Sequence, residues 1–162
     1  MKIDAIDATA LREDLSAAFG QEVECVARSG KRLYVGLAPG LLLDVFEWLR
    51  ARLPGFRLAT STAIDLRDGL GVFHHFVVNG QALVITLKVL APKPEPTVPS
   101  LAPRIPAADW IEREMHDLSG VIFDGHPDLR RLVKAKAFPD TFPIRRDFDP
   151  EAFKESIGER AD

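Results

Sequence analysis

The sequence predicts an α+β domain: a two-layer sandwich of order α-β-β-α-β-β-β, with two helices on one face of a mainly antiparallel or mixed sheet. A proline-rich connector and a short helical tail follow it. Three observations predict this. Two segments repeat apolar residues at the spacing of a helix face. Five others are short apolar runs with the period of a strand or the turn chemistry of a hairpin. Six of the 12 prolines, from Pro92 to Pro106, then fall within 15 residues, where neither a helix interior nor a central strand can form. The organisation expected is an α+β core over 1–91, an extended connector over 92–106 and a tail over 107–162.

The first helix is predicted near 8–19. Asp7 can cap its first amides, Leu11, Leu15 and Phe19 recur at helical spacing, and Gly20 suits its end. Val23, Cys25 and Ala27 then alternate with Glu22, Glu24 and Arg28, Ser29-Gly30 turns the chain, and Leu33 to Leu37 returns. The second helix, near 39–52, opens on Pro39, carries Leu42, Val45, Phe46 and Leu49 as its stripe, and stops at Pro54-Gly55. Strands follow near 57–66, 71–78 and 81–90. Asn79-Gly80 between the last two predicts a tight hairpin with both turn residues at positive φ. In the tail a helix is expected near 110–119, with Asp109 as N-cap, Glu112 completing a capping box and Gly120 as its stop. Gly125-His126-Pro127-Asp128 opens another predicted helix with Leu129, Leu132 and Val133 on one side, and Asp149-Pro150 opens a last one near 150–158.

Composition excludes several function classes. The chain has 162 residues, 46% apolar, with 21 Lys+Arg against 24 Asp+Glu for a net charge of −3. Phosphate binding drives nucleic-acid affinity, so a basic excess is expected of a nucleic-acid partner, and this chain has none. One cysteine, Cys25, provides neither a disulfide framework nor the ligands of a cluster or structural zinc site. No apolar run reaches the length of a membrane span, and MKIDAIDATA lacks the layout of a signal peptide.

On a helical wheel Trp110, Ile111, Met115 and Leu118 share one arc, with Glu114 in its middle and Asp117 at its edge. A carboxylate aimed into an apolar face needs a partner. The expectation is that Glu114 and Asp117 are bound by Arg130, Arg131, Arg145 and Arg146 of the tail, so that Glu114→Gln lowers stability. Glu112 and His116, one turn apart, are expected to point to solvent. With His126 they form the one enzymatic alternative, a stand-alone metal-dependent hydrolase, although no His-Glu-x-x-His spacing is present. His74 and His75 face opposite sides of a predicted strand, one packed and one exposed. Cys25 reads as a small core residue, no serine carries a nucleophile signature, and Gly69-Leu70-Gly71 lacks the rest of a dinucleotide fingerprint.

The ordered run from 99 to 148 is specific. Pro99-Ser100 precedes Trp110-Ile111-Glu112-Arg113-Glu114-Met115-His116-Asp117-Leu118-Ser119-Gly120. Phe123, Gly125-His126-Pro127-Asp128-Leu129-Arg130-Arg131-Leu132 and Pro143-Ile144-Arg145-Arg146-Asp147-Phe148 follow. This resembles the 30 kDa subunit family of respiratory complex I, the C-type subunit of NADH–quinone oxidoreductase. The family includes the equivalent subunits of energy-converting membrane-bound nickel–iron hydrogenases and formate hydrogenlyases. The resemblance implies a cofactor-free assembly subunit of a membrane-associated, ion-translocating oxidoreductase, with no catalytic, cofactor or metal residues of its own. Iron–sulfur clusters and either flavin and NADH or nickel–iron would lie in other subunits. The implied partners are the large subunit (49 kDa-like or hydrogenase large) and neighbouring iron–sulfur subunits. The implied location is peripheral, on the cytoplasmic face of the membrane, held there by the complex. The signature residues implied to form the partner interface are Glu112, Arg113, Glu114, Asp117, Gly120, His126, Pro127, Asp128, Arg130, Arg131, Arg145, Arg146 and Asp147. Ser119 stands where the family carries a large apolar residue and His116 where it often carries an aromatic. With the short stretch after Phe148, these lean the expectation toward the hydrogenase branch or a minimal complex I relative, with Ser119 altering a partner contact rather than the core.

Overall fold

The computed structural model describes residues 6–136, 138–156 and 158. Helix α1 (Ala8–Phe19) starts at Asp7, whose carboxylate accepts the Thr9 N–H at 2.6 Å, and gives way at Gly20 to one turn of 3-10 helix. Strands β1 (Val23–Ser29) and β2 (Arg32–Leu37) form an antiparallel hairpin. A 3-10 turn over Pro39–Leu41 leads into α2 (Leu42–Arg52), and β3 (Phe56–Asp65), β4 (Gly69–Val78) and β5 (Val84–Pro92) complete the sheet.

The sheet order is β1-β2-β5-β4-β3. Its neighbours are antiparallel except β2 and β5, which run parallel, so the sheet is mixed. The two helices of the body share its buried face. Pairing aligns Leu58, Phe76, Ile85, Leu33 and Ala27 in one row and Ser61, His74, Leu87, Val35 and Cys25 in the next, and the members from β2, β4 and β5 are fully buried. Phe46 of α2 lies 5.7 Å from the Phe76 ring, and Phe19 of α1 meets Trp48 of α2 edge to face at 6.0 Å. The opposite face carries Thr60, Thr62, Ile64, Tyr34, Phe73, His75, Lys88 and Leu90, all exposed or half-buried. The two histidines therefore face opposite sides, His74 packed and His75 half-buried.

The β4–β5 turn differs from the expected one. Only Gly80 has positive φ, at 75°, and the loop runs to Leu83, with the Gln81 N–H on the Val78 carbonyl at 3.1 Å. Leu83 is itself buried, so the apolar run that predicted strand from 81 onward begins as a packed loop.

Beyond Pro92, β6 (Thr97–Pro99) pairs in parallel with β7 (Ile122–Asp124), and α3 (Ala108–Ser119) lies between them in sequence and packs against β3. Val98, Leu101, Val121 and Phe123 are buried in the same apolar core as the sheet. The segment that proline makes extended thus ends in the core. The helix predicted from Gly125 does not form: the described residues of 125–149 are irregular up to α4 (Pro150–Ser156). Asp149 caps α4 as expected, accepting the Glu151 N–H at 2.9 Å and the Ala152 N–H at 3.2 Å. The final residues of the predicted last helix, with 159–162, lie outside the described residues, apart from Gly158.

Candidate functional site

The signature residues gather around α3, and the helix sits the opposite way round from its wheel. Ala108, Glu112, Met115 and Ser119, at i, i+4, i+7 and i+11, form the buried stripe, flanked by buried Arg113 and Asp117. Of the wheel's apolar arc, Met115 is buried and Ile111 packs half-buried against the core, while Trp110, 68% exposed, Glu114, exposed, and Leu118, half-buried, face outward. The expectation that Glu114 sits in the core is corrected, and with it the predicted stability loss of Glu114→Gln. The wheel assumes that the apolar arc faces inward, whereas here the chain's own backbone meets the charged one.

Each buried charge on α3 holds a separate piece of chain. Glu112 is fully buried; one oxygen accepts the Ser100 hydroxyl at 2.5 Å and the other the Leu101 N–H at 2.7 Å. Burial pushes its pKa up, and these two bonds oppose the rise only in part. Asp117 Oδ2 accepts the N–H groups of Leu132, Val133 and Lys134 at 3.2, 2.8 and 2.7 Å, and the Lys134 ammonium lies 3.4 Å from Oδ1. Burial would raise the Asp117 pKa, but the three amides and the ammonium outweigh it and hold it below the usual carboxylate value. Arg113 donates to the carbonyls of Arg130 at 3.2 Å and Arg131 at 3.3 Å. The amides of 132–134 and the carbonyls of 130–131 are those a helix after Gly125 would need. That is why the helix predicted there is absent.

The remaining clips join the tail to the helix end and the sheet. Arg145 donates through Nε to the Ser119 carbonyl at 2.5 Å and lies over the Phe142 ring at 4.2 Å. Gly120 closes α3 in the left-handed region at φ 75°, where a Cβ would come within 2.5 Å of the Arg145 guanidinium and 2.6 Å of the Phe142 ring. The Arg146 N–H donates to Asp65 at 2.9 Å, and Lys93 pairs with the other Asp65 oxygen at 2.9 Å. Burial pushes the Asp65 pKa up, but these partners pull it below its ordinary value. Arg131 binds the Phe138 carbonyl at 2.7 Å and pairs with Asp140. Arg130 pairs with Asp128 on the surface at 2.9 Å, and Pro127 and Asp147 are exposed. The arginines thus do not bind Glu114 or Asp117 as expected: backbone carbonyls and other carboxylates take the guanidinium groups of Arg130, Arg131 and Arg145, and Arg146 is tied through its backbone N–H.

Three further expectations are corrected. Asp109 is not the N-cap: α3 begins at Ala108, its first amides reach the Ile105 and Pro106 carbonyls at 2.9 and 3.3 Å, and Glu112 is free to turn inward. Ser119 is buried, donating to the Met115 carbonyl at 2.5 Å, so it serves the core rather than a partner contact. Glu112 and His116 do not point to solvent. His116 Nδ1 lies 2.8 Å from the Val121 carbonyl, away from the cluster, while His126 Nδ1 accepts the Asp128 N–H at 3.0 Å. His126 Nε2 lies 3.2 Å from the Asp109 carbonyl and 4.0 Å from Glu112. The hydrolase trio therefore splits, with only Glu112 and His126 brought together. Among the described residues no group of three or more His, Cys, Asp or Glu is placed to hold a metal ion. Sequence reasoning missed Asp65, Lys93 and Lys134. Asp65 and Lys93 stand apart from the signature run, and a single lysine in a basic stretch carries no signal.

Comparison with known proteins gives a consistent picture. Residues 35–154 match the family described as respiratory-chain NADH dehydrogenase, 30 Kd subunit. The chain is 34% identical over 145 residues to the C-type subunit of NADH-quinone oxidoreductase from Caulobacter vibrioides, covering 86% of this chain and 67% of that one. It is 35% identical over 127 residues to the fused C/D-type subunit of Methylococcus capsulatus, covering 69% of this chain and 21% of that protein. Against the C-type subunits of Chloroherpeton thalassium and Mesorhizobium japonicum it spans 38% and 41% of the relative's length. Among solved structures, a chain of the membrane-bound sulfane sulfur reductase, an archaeal respiratory membrane complex, superposes with a TM-score of 0.77 at 20% identity, over 95% of this chain and 92% of that one. The trypsin-resistant fragment of Nqo5 superposes with a TM-score of 0.62 at 22% identity, over 74% and 98%. At those identities the likeness is one of fold.

Proposed function

The chain belongs to the 30 kDa subunit family of the respiratory-chain NADH dehydrogenase, and from that premise we propose that it is a structural subunit of a membrane-associated oxidoreductase. It binds no redox group itself and packs against the large, D-type subunit, while electrons pass through other chains. One observation carries this reading. The buried charged residues of the signature, Glu112, Arg113 and Asp117, are committed to the chain's own backbone and to Ser100, which builds a rigid shape rather than a reaction centre. Relatives in which the C-type and D-type subunits form one polypeptide support the choice of partner. The relatives' names favour the NADH–quinone branch over the hydrogenase one.

No helix among the described residues is long and apolar enough to cross a membrane. In the proposed reading the complex holds the chain at the cytoplasmic face through its partners. Affinity purification of the tagged chain from gently solubilised membranes tests the proposal. The large subunit and the iron–sulfur subunits are expected to co-purify, with iron following those subunits and absent from this chain once separated. A tagged chain recovered alone, or one that retains iron when separated, contradicts it.

A further inference from the structure

We infer that the outward stripe of α3, Trp110 and Leu118 with Glu114 between them, is the surface on which the D-type large subunit docks, through an apolar socket bearing a cation opposite Glu114. The inference rests on that subunit being the partner. A helix at a protein surface normally turns its apolar arc inward and its charges to water. In α3 the arrangement is reversed. Glu112, Arg113 and Asp117 are buried, while Trp110 is left 68% exposed and Leu118 half-buried; of their apolar neighbours, Ile111 packs against the core and Met115 is buried. Ile144, 42% exposed, extends the stripe, since its N–H reaches the Leu118 carbonyl at 3.4 Å. The clips on the buried side fix the helix in this rotation, so it cannot roll to hide its tryptophan without releasing the 100–102 and 130–134 segments. Tryptophan is the residue type most enriched among the side chains that dominate interface energetics, and here one is left exposed on a fixed helix.

Charge selects among occupants. Glu114 follows Trp110 by one turn and precedes Leu118 by one, is exposed, and makes no ion pair among the described residues. A second copy meeting this face about a two-fold axis would bring the same acidic stripe against itself, and like charges across an interface oppose association. The stripe is four side chains, Trp110, Glu114, Leu118 and Ile144, against the roughly 20–30 residues a side of a standard stable interface. It fits the anchoring centre of a larger contact with a different chain, one that presents Lys or Arg to Glu114.

The test uses the full chain and the D-type large subunit from the same cells, produced together, with affinity measured by titration and the isolated chain's melting temperature as the check on folding. Trp110→Asp is expected to weaken binding at least tenfold, and Glu114→Arg severalfold, with both melting temperatures at the wild-type value. Val26→Asp, on the exposed side of the edge strand β1, is expected to bind like wild type. Wild-type affinity in both α3 variants, or an equal loss in Val26→Asp, overturns the inference, as does a concentration-dependent dimer of this chain that Trp110→Asp abolishes. If the wild-type chain does not bind the large subunit at all, the proposed function itself fails, an outcome distinct from failure of the face alone.

Discussion

Leu87 in β5 and Asp117 in α3 are almost equally buried, at 0% and 2% exposure, yet they hold their surroundings in opposite ways. Around Leu87 the body is a conventional apolar sandwich. Its buried rows come from alternate strand positions, and α1 and α2 close one face with Leu11, Leu15, Val45, Phe46 and Leu49. Such a core is non-directional, and its strength grows with the area removed from water. Around Asp117 the described residues between Gly125 and Pro150 form no regular structure, and a few aimed bonds hold the tail: three amides on one carboxylate, two carbonyls on Arg113 and one on Arg145. Charge-assisted bonds of this kind are worth about 1.5–3 kcal/mol each, and a buried partner left alone costs more than the bond itself. The body should therefore lose stability as a whole, and the tail segment by segment.

The largest effect is expected in the body. Phe76, fully buried, stacks on Phe56 at 4.5 Å and meets Phe46. Phe76→Ala should cost about 3–5 kcal/mol in urea unfolding, with body and tail probes moving together. Separate transitions for the two would break the contrast from the body's side. Asp117→Asn keeps the shape but removes the charge and places an amide N–H₂ among three N–H donors. The expected loss is about 2–4 kcal/mol, read as proteolysis within 129–149 while the sheet's circular dichroism persists.

A smaller effect concerns pH. Full burial, with a contribution from His75, depresses the His74 pKa to about 3. The unfolded chain takes up that proton near its ordinary pKa and the folded chain does not, so His74 stabilises the fold fully above about 6.5. That contribution is lost as pH falls toward 3, by at most about 1.4 kcal/mol per pH unit. Asp65 and Asp117, with lowered pKa values, lose their contributions only further down. Glu112, whose pKa is raised, changes in the opposite sense and favours the fold as it protonates. His74→Gln should flatten the stability slope between pH 6 and 4.5, and an unchanged slope would remove His74 from the account.

The same contrast explains how far the sequence could be read. The sandwich was legible because its residues obey period 2 or 3.6: Leu33, Val35 and Leu37 alternate, and Leu42, Val45, Phe46 and Leu49 recur on one side. Capping was legible at Asp7, Asp149 and Gly120, where side-chain or glycine chemistry acts on adjacent backbone. The candidate site was legible as a run of residues but not as a geometry. Asp117 acts on amides 15 to 17 residues away and Asp65 on one 81 residues away, distances at which periodicity is silent. Rules that put apolar residues inside then point α3 the wrong way.

Hydrogen exchange in Asp117→Asn tests the central claim most directly, that the charged inner face of α3 holds the tail while the apolar core holds the body. Amides 132–134 should lose their protection in the variant, while those of β2, β4 and β5 exchange at wild-type rates. Retained protection at 132–134, or an equal loss in the sheet strands, would contradict it.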